Sequence, residues 1–159
     1  MNTATYPRGQ WMRLLMAAPR AALLATGTEL KRTLQTRYLA LPQNGLALLP
    51  MRDGAFADAF NLGEIPLAKA HLAITAHDGR EARGAAWVMD DDMALVETLA
   101  IADAILAAEW PEAAPLLDLM QQGATAVARI DYERKAMLAA TTVDFSLLGA
   151  TDDEDDEDA

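Results

Sequence analysis

Apolar and polar residues change period along this chain, and each change marks an element. After Pro7, residues Trp11, Leu14, Leu15 and Ala18 recur at helical spacing. Proline suits a first helical position, where its missing N–H costs nothing. Pro19 interrupts that stripe, and residues 21–30 predict a second short helix, weakened by Gly27. Residues 37–41 and 46–51 are two short apolar runs flanking Pro42-Gln43-Asn44-Gly45. Asn-Gly between such runs predicts a hairpin. Residues 52–59 contain Asp53-Gly54 and read as a loop. Over residues 65–76 the period is two: Ala68, Ala70, Leu72 and Ile74 alternate with Lys69, His71, Ala73 and Thr75. This is a strand with one buried face. Asp78-Gly79 turns the chain, and residues 82–89 return as its partner.

The register of that pair follows from the side chains. A two-residue Asp-Gly turn sets Ile74 opposite Arg83 and places a cation on the buried face. A loop one residue longer pairs Ile74 with Gly84, Leu72 with Ala86 and Ala70 with Val88, and keeps that face apolar. The longer loop is expected. It sets Trp87 across from His71 on the other face, with Lys69 and Arg83 nearby.

Asp90, Asp91 or Asp92 can cap the next helix, whose apolar stripe is Leu95, Leu99, Ala102 and Leu106, with Val96 alongside. Pro111 and Pro115 separate it from a further helix at about residues 114–137. Residues 141–148 read as a short strand or an irregular docking segment. The expected fold class is α+β, an antiparallel sheet of hairpins flanked by N-terminal and C-terminal helices. One domain, residues 1–150, accounts for the length, and residues 151–159 form an acidic tail expected to be disordered.

That tail changes the reading of the charge. The chain carries a net −11, yet residues 152–158 hold seven acidic groups and no base. Without them 17 acidic residues stand against 13 basic ones. No basic cluster marks a nucleic-acid surface, and no apolar stretch is long enough for a membrane span. Cysteine is absent, which excludes thiolate metal sites and a cysteine nucleophile and fits a reducing compartment. No apolar leader opens the chain, so a cytoplasmic protein is expected.

No phosphate-cradling loop, dinucleotide fingerprint or nucleophile elbow is present. His71 and His77 lie roughly 20 Å apart on an extended strand, too far to share a metal. The groups that could carry contacts are Glu64, Lys69, His71, Arg83, Trp87 and Asp103. His71 beside Trp87 and Lys69 could form a site, or be a surface histidine. Asp103 interrupts a very apolar run, as the solvent-facing position of an amphipathic helix or as a buried functional carboxylate. Glu64 follows Gly63 and could be catalytic, or end a turn. A self-contained enzyme would need Glu64, His71 and Asp103 to converge. With 52% hydrophobic residues, the chain instead suggests apolar surface meant for a partner. Trp11, Trp87 and Trp110 are candidate anchors, Trp11 being the one best read as core.

Several segments together carry a resemblance. Phe60-Asn61-Leu62-Gly63-Glu64, then residues 67–72, Asp78-Gly79, residues 84–88 and 102–106 stand in the order of the phosphonate carbon–phosphorus lyase subunit family PhnG. Arg8, Trp11 and Met12 resemble its opening Arg-x-x-Trp-Met, and residues 142–145 its closing Thr-x-Val-Asp-Phe. The chain departs from that pattern at Lys69, where the family has arginine, and at Asp90-Asp91-Asp92, where it has Gly-Arg-Asp. The resemblance implies a cytoplasmic, non-catalytic subunit working with PhnI-, PhnH- and PhnJ-like partners. That complex uses MgATP, displacing adenine with an alkylphosphonate to give a ribose 1-alkylphosphonate 5-triphosphate. No cofactor bound by this chain alone is implied. The rival reading is a stand-alone adaptor that docks a basic protein through the acidic tail.

Overall fold

A computed structural model of the chain describes residues 6–141. Arg8–Ala17 forms helix α1 and Arg20–Thr33 forms α2. Pro7 sits one step earlier than a first helical residue, as the extended residue before α1. Trp11, Leu14, Leu15 and Ala18 are all buried, as their spacing predicts. Strands β1 (Gln35–Arg52), β2 (Ala59–Thr75) and β3 (Glu81–Val88) build one antiparallel sheet in the order β1-β2-β3. Helix α3 (Met93–Ala107), a short 3₁₀ turn (Pro111–Ala113) and helix α4 (Ala114–Ala140) follow. The class is α+β, with helices before and after the sheet.

Two expectations are corrected in the sheet. Pro42-Gln43-Asn44-Gly45 is not a turn, because β1 runs straight through it. The strand takes up its extra residues as irregularities between Tyr38 and Ala40 and between Ala40 and Gln43. Asn44 instead donates from its side chain to the Asp91 carbonyl at 2.8 Å. The hairpin turn between β1 and β2 lies at residues 53–58, where Asp53 Oδ1 accepts from the Ala55 N–H at 2.5 Å. The second correction is the β2–β3 register. Ile74 pairs with Ala82, Leu72 with Gly84, Ala70 with Ala86 and Ala68 with Val88. This is two residues away from the expected pairing, so every side chain keeps its face while its cross-strand neighbour changes. Gly79, at φ +86°, closes the turn.

Helix α3 is the centre of the core. Its residues from Leu95 to Leu106 are all buried, in place of the single expected stripe. A helix apolar all round belongs inside, and α3 packs against β2 and β3 as well as α1 and α2. Three glycines let neighbours approach closely. A methyl at Gly84 would strike the Ala100 carbonyl and Ala104, one at Gly27 would strike Thr98, and one at Gly123 would strike the Leu14 backbone. Asp92 caps α3, accepting from the Ala94 N–H at 2.8 Å and the Leu95 N–H at 3.2 Å.

By packing, the chain divides into Met1–Ala126 and Val127–Ala159. The first unit holds the sheet and the core. Within the second, helical turns carry exposed Ile130, Tyr132 and Met137, with Arg129 and Glu133 paired at 3.9 Å. The expected boundary at residue 150, the acidic tail and the segment 142–148 lie outside the described residues. Among the described residues no helix is long and apolar enough to cross a membrane.

Candidate functional site

Alternation along β2 and β3 sends even-numbered residues toward α3 and odd-numbered ones to the opposite, open face. On that face Lys69 stands opposite Trp87, His71 opposite Ala85, and Ala73 opposite Arg83. Ala73 also pairs with Arg37 of β1, so two arginines flank it across three strands. Trp87 is 67% exposed, whereas Trp11 and Trp110 are buried. The expected partner of Trp87, His71, is its diagonal neighbour. Two hollows meet at Lys69 and Trp87. One, of about 350 Å³, is lined by Ala40, Leu41, His71 and Ala85. The other, of about 230 Å³, is lined by Gln43, Asn44, Leu46 and Leu67.

The remaining candidates lie elsewhere. Glu64 pairs with Leu48, beyond the end of β3, and alternation puts it on the other face of β2. Asp103 is on α3 and only 6% exposed, so it is no solvent-side residue. Its carboxylate accepts from Arg8 Nε at 3.0 Å, from the second Arg8 nitrogen at 2.8 Å, and from the Ala85 N–H at 3.2 Å. Glu64, His71 and Asp103 therefore do not converge, and the self-contained enzyme they would have formed is overturned. Among the described residues no group of three or more His, Cys, Asp or Glu could hold a metal ion.

Sequence reasoning overlooked a second buried carboxylate. Glu97 of α3 is 8% exposed and accepts from Lys31 Nζ of α2 at 2.6 Å and from the Tyr38 hydroxyl of β1. The hydrogen bond to Glu97, with burial, raises the Tyr38 pKa above its ordinary 10.0. The same carboxylate raises that of Lys31. The signal was present: Glu97 and Asp103 are the sole charges between Met93 and Leu106, a run apolar enough to be buried whole. A third cluster joins α2 to the cap of α3. Arg20 donates to Asp90 at 2.8 and 3.0 Å and to Asp92 at 2.9 Å, and holds the Asp90 carboxyl down to about 2.

Among the described residues, carboxylates hold several of the chain's cations but not those of the open face. Arg8, Arg20, Lys31, Arg32 and Arg80 each hold a carboxylate. Arg37, Lys69 and Arg83 hold none among the described residues.

Next to this face the hairpin of β1 and β2 continues alone. Among the described residues, 59–67 of β2 pair only with β1, past the end of β3, an extension of about 30 Å. Leu46, Leu48, Met51, Phe56, Phe60 and Leu62 are exposed along it. Two strands without a third, or a helix, to cover them are marginally stable in water.

A family model described as "Phosphonate metabolism protein PhnG" matches residues 6–149. No curated protein matches the chain.

Proposed function

The chain belongs to the PhnG family of phosphonate metabolism proteins, and from that premise we propose that it is a non-catalytic subunit of a cytoplasmic carbon–phosphorus lyase complex. Its partners would be PhnI-, PhnH- and PhnJ-like proteins. With the first two it would support displacement of adenine from MgATP by an alkylphosphonate, giving a ribose 1-alkylphosphonate 5-triphosphate. MgATP is here a substrate of the complex, and this chain alone binds no cofactor.

The observation that carries the reading is the bare hairpin. An extension of two strands bearing large apolar side chains is stabilised when a partner covers it. The scattered candidates fit the same role, since Glu64, His71 and Asp103 gather into no reactive set. The physical contribution would be to bury the hairpin against the catalytic subunit and hold its active site in shape.

Coexpression tests this. The chain produced alone should self-associate or precipitate, and a PhnI-like protein should bring it into a soluble complex of defined stoichiometry. The complex should release adenine from ATP in the presence of methylphosphonate, and omitting this chain should abolish that release. A well-behaved monomer that ignores the PhnI-like protein counts against the proposal.

A further inference from the structure

The open face of the sheet differs in chemistry from the apolar hairpin beside it. Among the described residues Arg37, Lys69 and Arg83 hold no carboxylate, though Glu81 stands on the same face, two residues along β3 from Arg83. His71 lies between them, and Trp87 adjoins Lys69. Exposed tryptophan and arginine are the residues most enriched among the anchors of protein interfaces.

The cations are spread, not gathered. Arg37 and Arg83 are two strand spacings apart, about 10 Å at the backbone. Of these three cations, Lys69 alone lines the hollows. A small anion needs donors that converge on one point. A pleated face with dispersed positive charges around an indole matches dispersed carboxylates around an apolar patch.

We propose that the open face formed by Arg37, Lys69, His71, Arg83 and Trp87 docks an acidic protein surface, with Trp87 entering an apolar depression ringed by carboxylates. This deepens the subunit reading and rests on it. It assigns the electrostatic part of the interface to the sheet face and the apolar part to the hairpin. Association should then be steered by charge and weakened by salt.

The test measures binding of the full-length chain to the PhnI-like protein at low and high salt. The double substitution Lys69→Glu with Arg83→Glu should weaken binding about a hundredfold and flatten its salt dependence. Trp87→Ala should weaken it about tenfold or more. Arg32→Glu, on the outside of α2, should bind like the parent. All of these positions are exposed, and circular dichroism checks that each variant folds. Parental binding that ignores salt, or a double variant that binds normally, overturns the docking face and leaves the subunit reading standing. A parent that does not bind at all overturns both. Two competitions identify another occupant and also overturn the proposal. One is displacement of the partner by micromolar inorganic triphosphate, lost in the double variant. The other is self-association of the parent that the double variant abolishes.

Discussion

Arg8 grips Asp103 with two parallel hydrogen bonds, at 3.0 and 2.8 Å, and so fastens the first turn of α1 to the middle of the buried helix α3. The two partners differ in exposure, 62% for the arginine side chain and 8% for the aspartate. Removing one is therefore not equivalent to removing the other. Arg8→Ala leaves a buried carboxylate with the Ala85 N–H as its remaining donor and should cost about 2 kcal/mol. Asp103→Ala frees Arg8 into water. Urea titration of both single variants and the double variant should yield a coupling energy of about 1 kcal/mol. Strict additivity would mean that the pair contributes nothing.

The Lys31–Glu97–Tyr38 cluster makes the fold sensitive to alkali. Both Tyr38 and Lys31 hold their protons more tightly in the folded chain than their ordinary values of 10.0 and 10.5. The unfolded chain therefore loses protons first as pH rises. The stabilisation is whole below about pH 10 and drains away as pH climbs through the raised folded values. Thermal melts between about pH 8 and about pH 11 should show that decline. Tyr38→Phe should make it shallower and lower stability at neutral pH by about 1 kcal/mol.

Acid acts at the cap of α3, just before its first turn. Asp90 titrates at about 2 in the folded chain against an ordinary 3.8, chiefly through its hydrogen bonds with Arg20. Its contribution is complete above about pH 4 and is lost as pH falls toward 2. Arg20→Gln should return the Asp90 carboxyl toward its ordinary value in an NMR titration. Because Arg20 is half exposed, the cost at neutral pH should stay near or below about 1 kcal/mol.

Gly84→Ala should be the most damaging single methyl in the sheet. The added carbon meets the Ala100 carbonyl and the Ala104 backbone, neither of which can rotate away. Strand β3 would have to lift from α3, at a cost of about 2 kcal/mol or more. Calorimetry of the variant should show a lowered melting temperature. An unchanged value would mean that β3 is not seated on α3 as described.

The extent to which the amino-acid pattern foretold this fold depends on how local each element is. The first two helices, the β2–β3 turn and the Asp92 cap follow from neighbours a few residues apart. Strand β1 does not. Asn44-Gly45 carries the local signature of a turn, but pairing with the 17-residue strand β2 keeps the chain extended. The β2–β3 register kept the right faces because alternation sets parity, while the two-residue offset rests on how tightly the Gly79 turn closes. A stripe pattern on α3 leaves Asp103 open between solvent and core and passes over Glu97, because it does not foresee burial all round the helix. Of the six candidates, Lys69, His71, Arg83 and Trp87 do share a face, because strand alternation alone brings them together. The place of Arg37 beside Ala73 needed the β1 pairing, which no local pattern supplies.

The Ala85 amide lies on β3, the last strand of the sheet, and its hydrogen is already claimed by Asp103. An incoming chain that tried to extend the sheet there would find the central rung of its ladder occupied. Growth by strand addition is thus blunted along this margin, much as a charged side chain protects other exposed borders from unwanted pairing. The protection is local to β3: β1 forms the opposite border of the sheet, and a copy or companion adding a strand would find its opening there or along the protruding hairpin.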